Sequence, residues 1–373
     1  MRIPDFDLER FFARYEFSVP YMLCASDVEG WAMADVLALA DDEVRNLWDG
    51  LKLQYTESTG HPVLRAEIAR RLFTTLDPDD VLVFSGASEG IFVLVNVLLG
   101  PGDHAVVVWP AYQSLHEVAR SVGADVSLVE LHEAEGWALD PARIRAAITP
   151  RTRLVVLNAP HNPTGMLPSR AAFEEIAADV AAARAVLLSD EVYRGMERDP
   201  GARLPSGADL GDHVVSLGVM SKSFAMPGLR IGWLATRNRE LLAAAARFKD
   251  YTTLCPPAPS EVLSIAGLRA ADAVLARSNA IVYGNLALLD AAFDRLRGRV
   301  SWVRPSAGSI GFVRIDDPDV EGFVRDLAAE EGVLLAPGRM FGRDDGHVRI
   351  GYGRTNLPEA LARFESFAAR RWE

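Results

Sequence analysis

Between residues 60 and 235 short apolar runs alternate with amphipathic stretches, and this alternation leaves few folds open. The spacing predicts helices over 63–73, 88–99, 114–122, 141–147 and 170–183. Strands are expected over 81–84, 104–109, 126–131, 154–157, 185–188, 214–219 and 231–235. Strands this apolar on both faces, separated by helices, need cover on both sides. The pattern therefore predicts an α/β fold whose large domain holds a mostly parallel sheet with helices on both faces. In such sheets ligands bind beyond the carboxyl ends of the strands.

The flanks are organised differently. In residues 1–50, Leu8, Phe11, Phe12 and Tyr15 share one helical face, and Met33, Val36, Leu37 and Ala40 share another. The non-periodic segment between them, 21–30, contains Cys24-Ala25-Ser26-Asp27; segments of this kind cross site mouths or act as plain connectors. A helical region over 240–296 is interrupted at Cys255-Pro256-Pro257-Ala258-Pro259. Strands over 301–303, 311–315, 333–335 and 347–352, with helices over 320–331 and 358–371, make a smaller α+β unit. A chain of 373 residues exceeds one typical core. We expect a large domain over 45–265 and a small one from 1–44 and 266–373.

Composition excludes some partners. Acids scattered along a chain of net charge −12 argue against nucleic-acid or anionic-membrane surfaces. Two cysteines, Cys24 and Cys255, make no disulfide framework, and the longest apolar run, 91–99, is too short to span a bilayer. With acids early in the chain where a signal peptide would be apolar, the expectation is a soluble cytoplasmic protein. Seven histidines (His61, His104, His116, His132, His161, His213 and His347) lack ligand-pair spacing, so no metal is expected.

The strand ends carry chemically distinct groups. After 81–84 comes Ser85-Gly86-Ala87-Ser88-Glu89-Gly90, where small residues and a helix start offer backbone N–H groups to a phosphate, or simply a turn and cap. Tyr112 follows 104–109 as a stacking ring or a structural one. After 154–157, the run from Asn158 to Gly165 has two prolines and a glycine that fix its backbone, and Asn162 before Pro163 is biased to extended geometry. Asp190, after 185–188, is an acid at a buried strand end that needs a cation or caps a helix. Lys222, after 214–219, is one of only three lysines (with Lys52 and Lys249) among thirty-nine basic residues. A chain that uses arginine for generic charge keeps lysine where an amine is wanted, because only an amine condenses with an aldehyde.

Three motifs together resemble one family: N-x-P-x-N-P-T-G as 158–165, D-E-x-Y as 190–193, and S-K-x-x-x-x-x-G-x-R as 221–230. They resemble the class I/II aminotransferases, fold type I enzymes of pyridoxal 5'-phosphate (PLP), over nearly the whole chain. The resemblance implies that Lys222 holds PLP as an imine and later carries the substrate's proton, and that Asp190 pairs with the pyridinium nitrogen. It implies that Asn162 and Tyr193 bond the ring's phenolic oxygen, that Tyr112 stacks on the ring, and that Gly86, Ala87, Ser88, Ser221 and Arg230 hold the phosphate. Arg349, in His347-Val348-Arg349-Ile350-Gly351, matches the arginine that grips the substrate's α-carboxylate. Tyr55, in Y-x-x-x-x-G-x-x-x-L-R as 55–65, resembles the tyrosine that reaches the neighbouring subunit's phosphate, which implies a homodimer with shared sites. The implied reaction moves an amino group from an L-amino acid to a 2-oxo acid.

Two departures bear on the substrate and cofactor. Val219 stands where the family often has a hydroxyl residue. Ser26-Asp27-Val28 stands where it usually has G-E-P with a glycine facing the substrate, which makes Ser26 a substrate-binding candidate. A PLP lyase, cyclase or oxidase is the alternative, with Glu16, Glu29 and Glu57 suited to a cationic, arginine-like side chain. A DNA-binding sensor is not expected, since there is no basic helix-turn-helix and Lys222 is present.

Overall fold

The computed structural model describes residues 2–373. Seven strands, β1 (Val81–Phe84), β2 (His104–Trp109), β3 (Asp125–Glu130), β4 (Thr152–Asn158), β5 (Val186–Asp190), β6 (Val214–Val219) and β7 (Gly232–Ala235), form one sheet in the order β1-β7-β6-β5-β4-β2-β3. All neighbours from β6 to β3 pair parallel, whereas β7 runs antiparallel to both β1 and β6. The reason is the link between β6 and β7, which contains no α-helix and so cannot make a parallel crossover.

Side chains along β4 show why the sheet is covered twice. Leu154 and Val156 join one apolar cluster with Leu82, Val107 and Leu217. Val155 and Leu157 join another with Val106, Phe173 and Ile176. A period of two sends successive residues to opposite faces, and each face is buried under helices. A second, antiparallel sheet follows: β8 (Val300–Trp302), β9 (Ile310–Ile315), β10 (Ala336–Pro337) and β11 (His347–Gly351), in the order β10-β11-β9-β8.

Two expectations need correction. The strand expected over 333–335 is displaced to β10, and Val333 makes only an isolated bridge with Tyr21. Val333, Leu334 and Leu335 are fully buried, which explains their apolar run, but Leu334 N–H donates to the Tyr21 carbonyl (2.9 Å) instead of entering the sheet. Burial sets the composition of a short run without choosing its partner. The helical region 240–296 breaks at Ala270 as well as at the prolines, giving helices Arg239–Lys249, Ala258–Arg269 and Ala271–Arg295.

The segment around Ala25 lies along the end of β11, backbone against backbone. Gly351 N–H donates to the Leu23 carbonyl (3.2 Å) and Glu29 N–H to the Gly353 carbonyl (2.8 Å). A Cβ on Gly351 would sit 1.8 Å from the Ala25 carbonyl oxygen, and one on Gly353 would sit 2.5 Å from that of Asp27. Only glycine permits this approach. Gly351→Ala is expected to lower the unfolding free energy by about 2–4 kcal/mol in a denaturant titration. Gly284→Ala, where a Cβ meets nothing within 4 Å on helix Ala271–Arg295, should change it by no more than about 1 kcal/mol, in the stabilising direction.

Candidate active site

The parallel strands deliver their polar residues to one rim. Asn158 and Asp190 end β4 and β5 as register partners, and Asn158 ties the two ends together: its Nδ2 donates to the Asp190 carbonyl (3.0 Å). Its Oδ1 accepts from Asn162 N–H (2.7 Å), which anchors the turn that follows. Within that turn His161 Nδ1 meets Thr164 Oγ1 at 2.8 Å, and burial pushes the imidazole pKa down to about 3, so the ring is neutral. Asn162 then presents its amide oxygen to Arg349 Nη1 at 3.3 Å.

Arg349 is a buried cation with no carboxylate beside it among the described residues. It is 1 % exposed, donates from Nη2 to the Cys24 carbonyl (2.9 Å), and lies over the Phe341 ring at 4.8 Å. Its Nε has no partner. An unneutralised guanidinium at the end of a site is a receptor for a carboxylate.

Asp190 presents the opposite case. Its carboxylate is buried and accepts only a long bond from Val192 N–H (3.3 Å). Burial, assisted by Glu191, pushes its pKa up to about 7. Two residues on, the Tyr193 side chain is 1 % exposed and its hydroxyl has no hydrogen-bond partner; burial holds its pKa well above the ordinary phenol value.

Lys222 follows β6 in a turn closed by Met226 N–H on the Met220 carbonyl (2.9 Å). Its Nζ donates to Ser26 Oγ at 2.7 Å. Burial lowers the amine's pKa, and Arg349 and Arg230 lower it further against the opposing pull of Asp27 and Glu9. Nearby, Gly86 has φ +92° at the start of helix Ala87–Leu98, and a Cβ there would lie 2.5 Å from Arg230 Nη2. Arg230, itself left-handed at φ 52°, donates from Nη1 to Ser221 Oγ (3.4 Å). The helix start with Ala87 and Ser88 in its first turn, a hydroxyl and a guanidinium thus share one small cradle, a composition suited to a phosphate.

The N-terminal helix Asp7–Tyr15 covers the remaining side. Tyr112 packs its ring 4.9 Å from that of Phe6 and donates from its hydroxyl to Glu9 Oε1 (3.0 Å). Glu9, which the sequence gives no reason to single out, joins Asp27 and the acid expected at Glu16 in one group. Burial raises the Glu16 pKa, Asp27 and Glu9 raise it further, and Arg354 and Lys222 oppose them. Asp27 is gripped by Arg354 Nη2, 3.0 Å from both its oxygens. No local signal marks Glu9, because the group forms only where the N-terminal helix, with Glu9 and its C-cap Glu16, meets the segment that carries Asp27. Glu29 instead accepts from Thr355 (3.2 Å), and Glu57 faces Glu261, so neither joins the group. Tyr55 is 82 % exposed and makes no hydrogen bond among the described residues.

The arrangement fits PLP on its own evidence. A depressed amine, a buried carboxylate without a cation, a buried phenol without a partner and an anion cradle converge, and each lacks what that molecule carries. Residues 23–364 match the protein family described as aminotransferase class I and II. The chain is similar to capreomycidine synthase of Streptomyces vinaceus, with 32 % identity over 96 % of this chain and 92 % of that protein. It is also similar to arginine–pyruvate transaminase of Pseudomonas aeruginosa, with 31 % identity over 84 % of this chain and 82 % of the other. Among solved structures, a PLP-dependent aminotransferase from Streptococcus suis superposes with a TM-score of 0.92 at 30 % identity, covering 100 % of this chain and 99 % of that one.

The Asp190 geometry predicts a pH effect on the cofactor-free protein. Native Asp190 keeps its proton to about pH 7, whereas an unfolded aspartate loses it near 4. The native state binds the extra proton between those values, so this contribution is fully present below about pH 4 and is lost as pH rises toward 7. Asp190→Asn should therefore be more stable than the parent at pH 8, by on the order of 2–4 kcal/mol, and no more stable at pH 4. Denaturant titrations at the two pH values check this.

Proposed function

The chain belongs to the class I and II aminotransferase family and is a PLP-dependent aminotransferase; from that premise we propose how its residues divide the work and which amino acid it takes. The cofactor supplies an electrophilic aldehyde and a ring that accepts electrons. Lys222 Nζ would bond that aldehyde, and Asp190 would pair with the ring nitrogen. Tyr193 and Asn162 would hydrogen-bond the phenolic oxygen, Tyr112 would cover the ring, and Gly86, Ala87, Ser88, Ser221 and Arg230 would hold the phosphate. With the cofactor bound to substrate, the free Lys222 Nζ would take the proton from the substrate Cα, a task suited to an amine whose pKa burial lowers. Arg349 turns its Nη groups from the Cys24 carbonyl and Asn162 to the substrate's α-carboxylate. The observation that carries this reading is the amine of Lys222 in one site with the buried carboxylate of Asp190, which no salt bridge among the described residues neutralises.

For the substrate we favour an L-amino acid with a cationic side chain, with a 2-oxo acid as acceptor. Glu9, Glu16 and Asp27 lie within electrostatic reach of Lys222, and Arg354 and Lys222 are the cations acting against Glu16. Two relatives are named for capreomycidine synthesis and for arginine transamination, consistent with this choice. The Ser26-Asp27-Val28 departure keeps a cyclisation or elimination on the same cofactor as the second reading.

A homodimer is proposed from the surface around Tyr55. Leu53, Tyr55, Tyr251 and Leu254 are 90, 82, 92 and 41 % exposed. Their two stretches are joined underneath, because Lys249 Nζ donates to the Ser58 and Leu254 carbonyls (2.6 and 2.7 Å). A second copy would cover these apolar groups and receive Tyr55 at its phosphate. The domain division at 45–265 and a cytoplasmic location are further parts of the proposal; both cysteines are free, and no helix is long and apolar enough to cross a membrane.

Arginine alone should convert the cofactor to its amine form without releasing ammonia, pyruvate added afterwards should return it to the aldehyde form, and borohydride should trap PLP on Lys222. Lys222→Arg should give no trapped adduct and lose at least about a thousandfold in turnover. Glu16→Gln should raise KM for arginine roughly tenfold while leaving that for alanine nearly unchanged. Equal turnover of neutral donors would remove the cationic assignment, and ammonia release without an acceptor would favour the second reading.

A further inference from the structure

We propose that Ser26 is a positioning residue for the Lys222 amine and does not read the substrate, an inference that rests on the function proposed above. The hydroxyl is the only hydrogen-bond partner of Lys222 Nζ among the described residues, at 2.7 Å. It is fixed independently of the lysine. The Ser26 carbonyl accepts from Ser309 Oγ (2.8 Å), Asp27 is clamped by Arg354, and the glycines at 351 and 353 let the backbone of β11 and its extension lie directly against Ala25 and Asp27. A glycine at position 26 could hold the same backbone path but would leave the amine without this partner.

The consequence is chemical as well as steric. An N–H tied to Ser26 Oγ restricts rotation of the amine about the Cε–Nζ bond, which limits the directions its lone pair can take when Nζ carries no bond to the cofactor. An oxygen accepts more strongly from an ammonium than from an amine, so the hydroxyl also retains the proton that Nζ has just taken. The other charged groups facing the amine are Asp27 and Glu9, which favour its charged form, and Arg349 and Arg230, which disfavour it. Glu16 and Asp190 also lie within its field. Ser26 is the uncharged member of this set, so its removal changes no net charge.

Cofactor-free Ser26→Ala, Ser26→Gly and Ser26→Thr proteins separate the possibilities. PLP uptake is followed against pH, with borohydride reduction and peptide mass spectrometry to assign the adduct to Lys222. The midpoint of the uptake profile should fall by about half to one pH unit in the alanine and glycine variants and return in the threonine variant. In the loaded enzymes kcat should drop roughly five- to twentyfold with KM for the amino acid within about twofold. An unchanged midpoint, or a raised KM with kcat intact, would overturn the inference and make Ser26 a substrate contact. Failure of the parent protein to take up PLP at Lys222 would instead remove the functional reading, and this inference with it.

Discussion

Burying charge without neutralising it is the constraint around which this molecule is built. Arg349 is fully enclosed with carbonyl and amide oxygens as its only partners, Asp190 is enclosed with one backbone N–H, and Lys222 rests on a hydroxyl. Each would be more stable with an opposite charge beside it, and a folded chain that left all three wanting pays in stability unless something arrives. The strain is tolerable because the surrounding sheet is rigid and apolar on both faces, so the rim cannot relax to bring the charges together. Desolvation acts on both titrating groups: it lowers the amine, as a group that must bond an aldehyde requires, and it raises the acid, so Asp190 ionises readily only once a cation stands beside it.

The second sheet matters because it brings a strap to that rim. β11 carries Arg349 into the site and, through the glycines at its end, holds the backbone of residues 23–29 against itself. The small sheet therefore supplies the buried guanidinium of Arg349 and holds in place the segment whose Ser26 hydroxyl accepts from Lys222. The N-terminal helix extends the same wall by laying Phe6 and Glu9 on Tyr112.

Much of this was legible in the chain. The ends of β4, β5 and β6 carry Asn158, Asp190 and, after a short turn, Lys222, and strand-end placement follows from periodicity and topology alone. The scarcity of lysine singled out position 222 before any geometry was known. By contrast, residues 333–335 have the composition of a strand and are not one, since burial and ladder pairing leave the same apolar signature. Position in a motif makes Ser26 a substrate candidate by analogy, and only the fold shows that its hydroxyl accepts from an amine 196 residues away.

Local order is what the amino-acid sequence determined by itself: the alternation of strands and helices, the turn chemistry of 158–165, and the presence of one amine, one acid and one phosphate cradle at successive strand ends. These depend on side-chain period and backbone propensity, which act over a few residues. Only the tertiary structure decided which acids surround Lys222, with Glu9, Glu16 and Asp27 chosen and Glu29 and Glu57 turned elsewhere, and which partner its amine takes. Such contacts join segments far apart in the chain, where no periodicity reaches and close packing alone selects the neighbour.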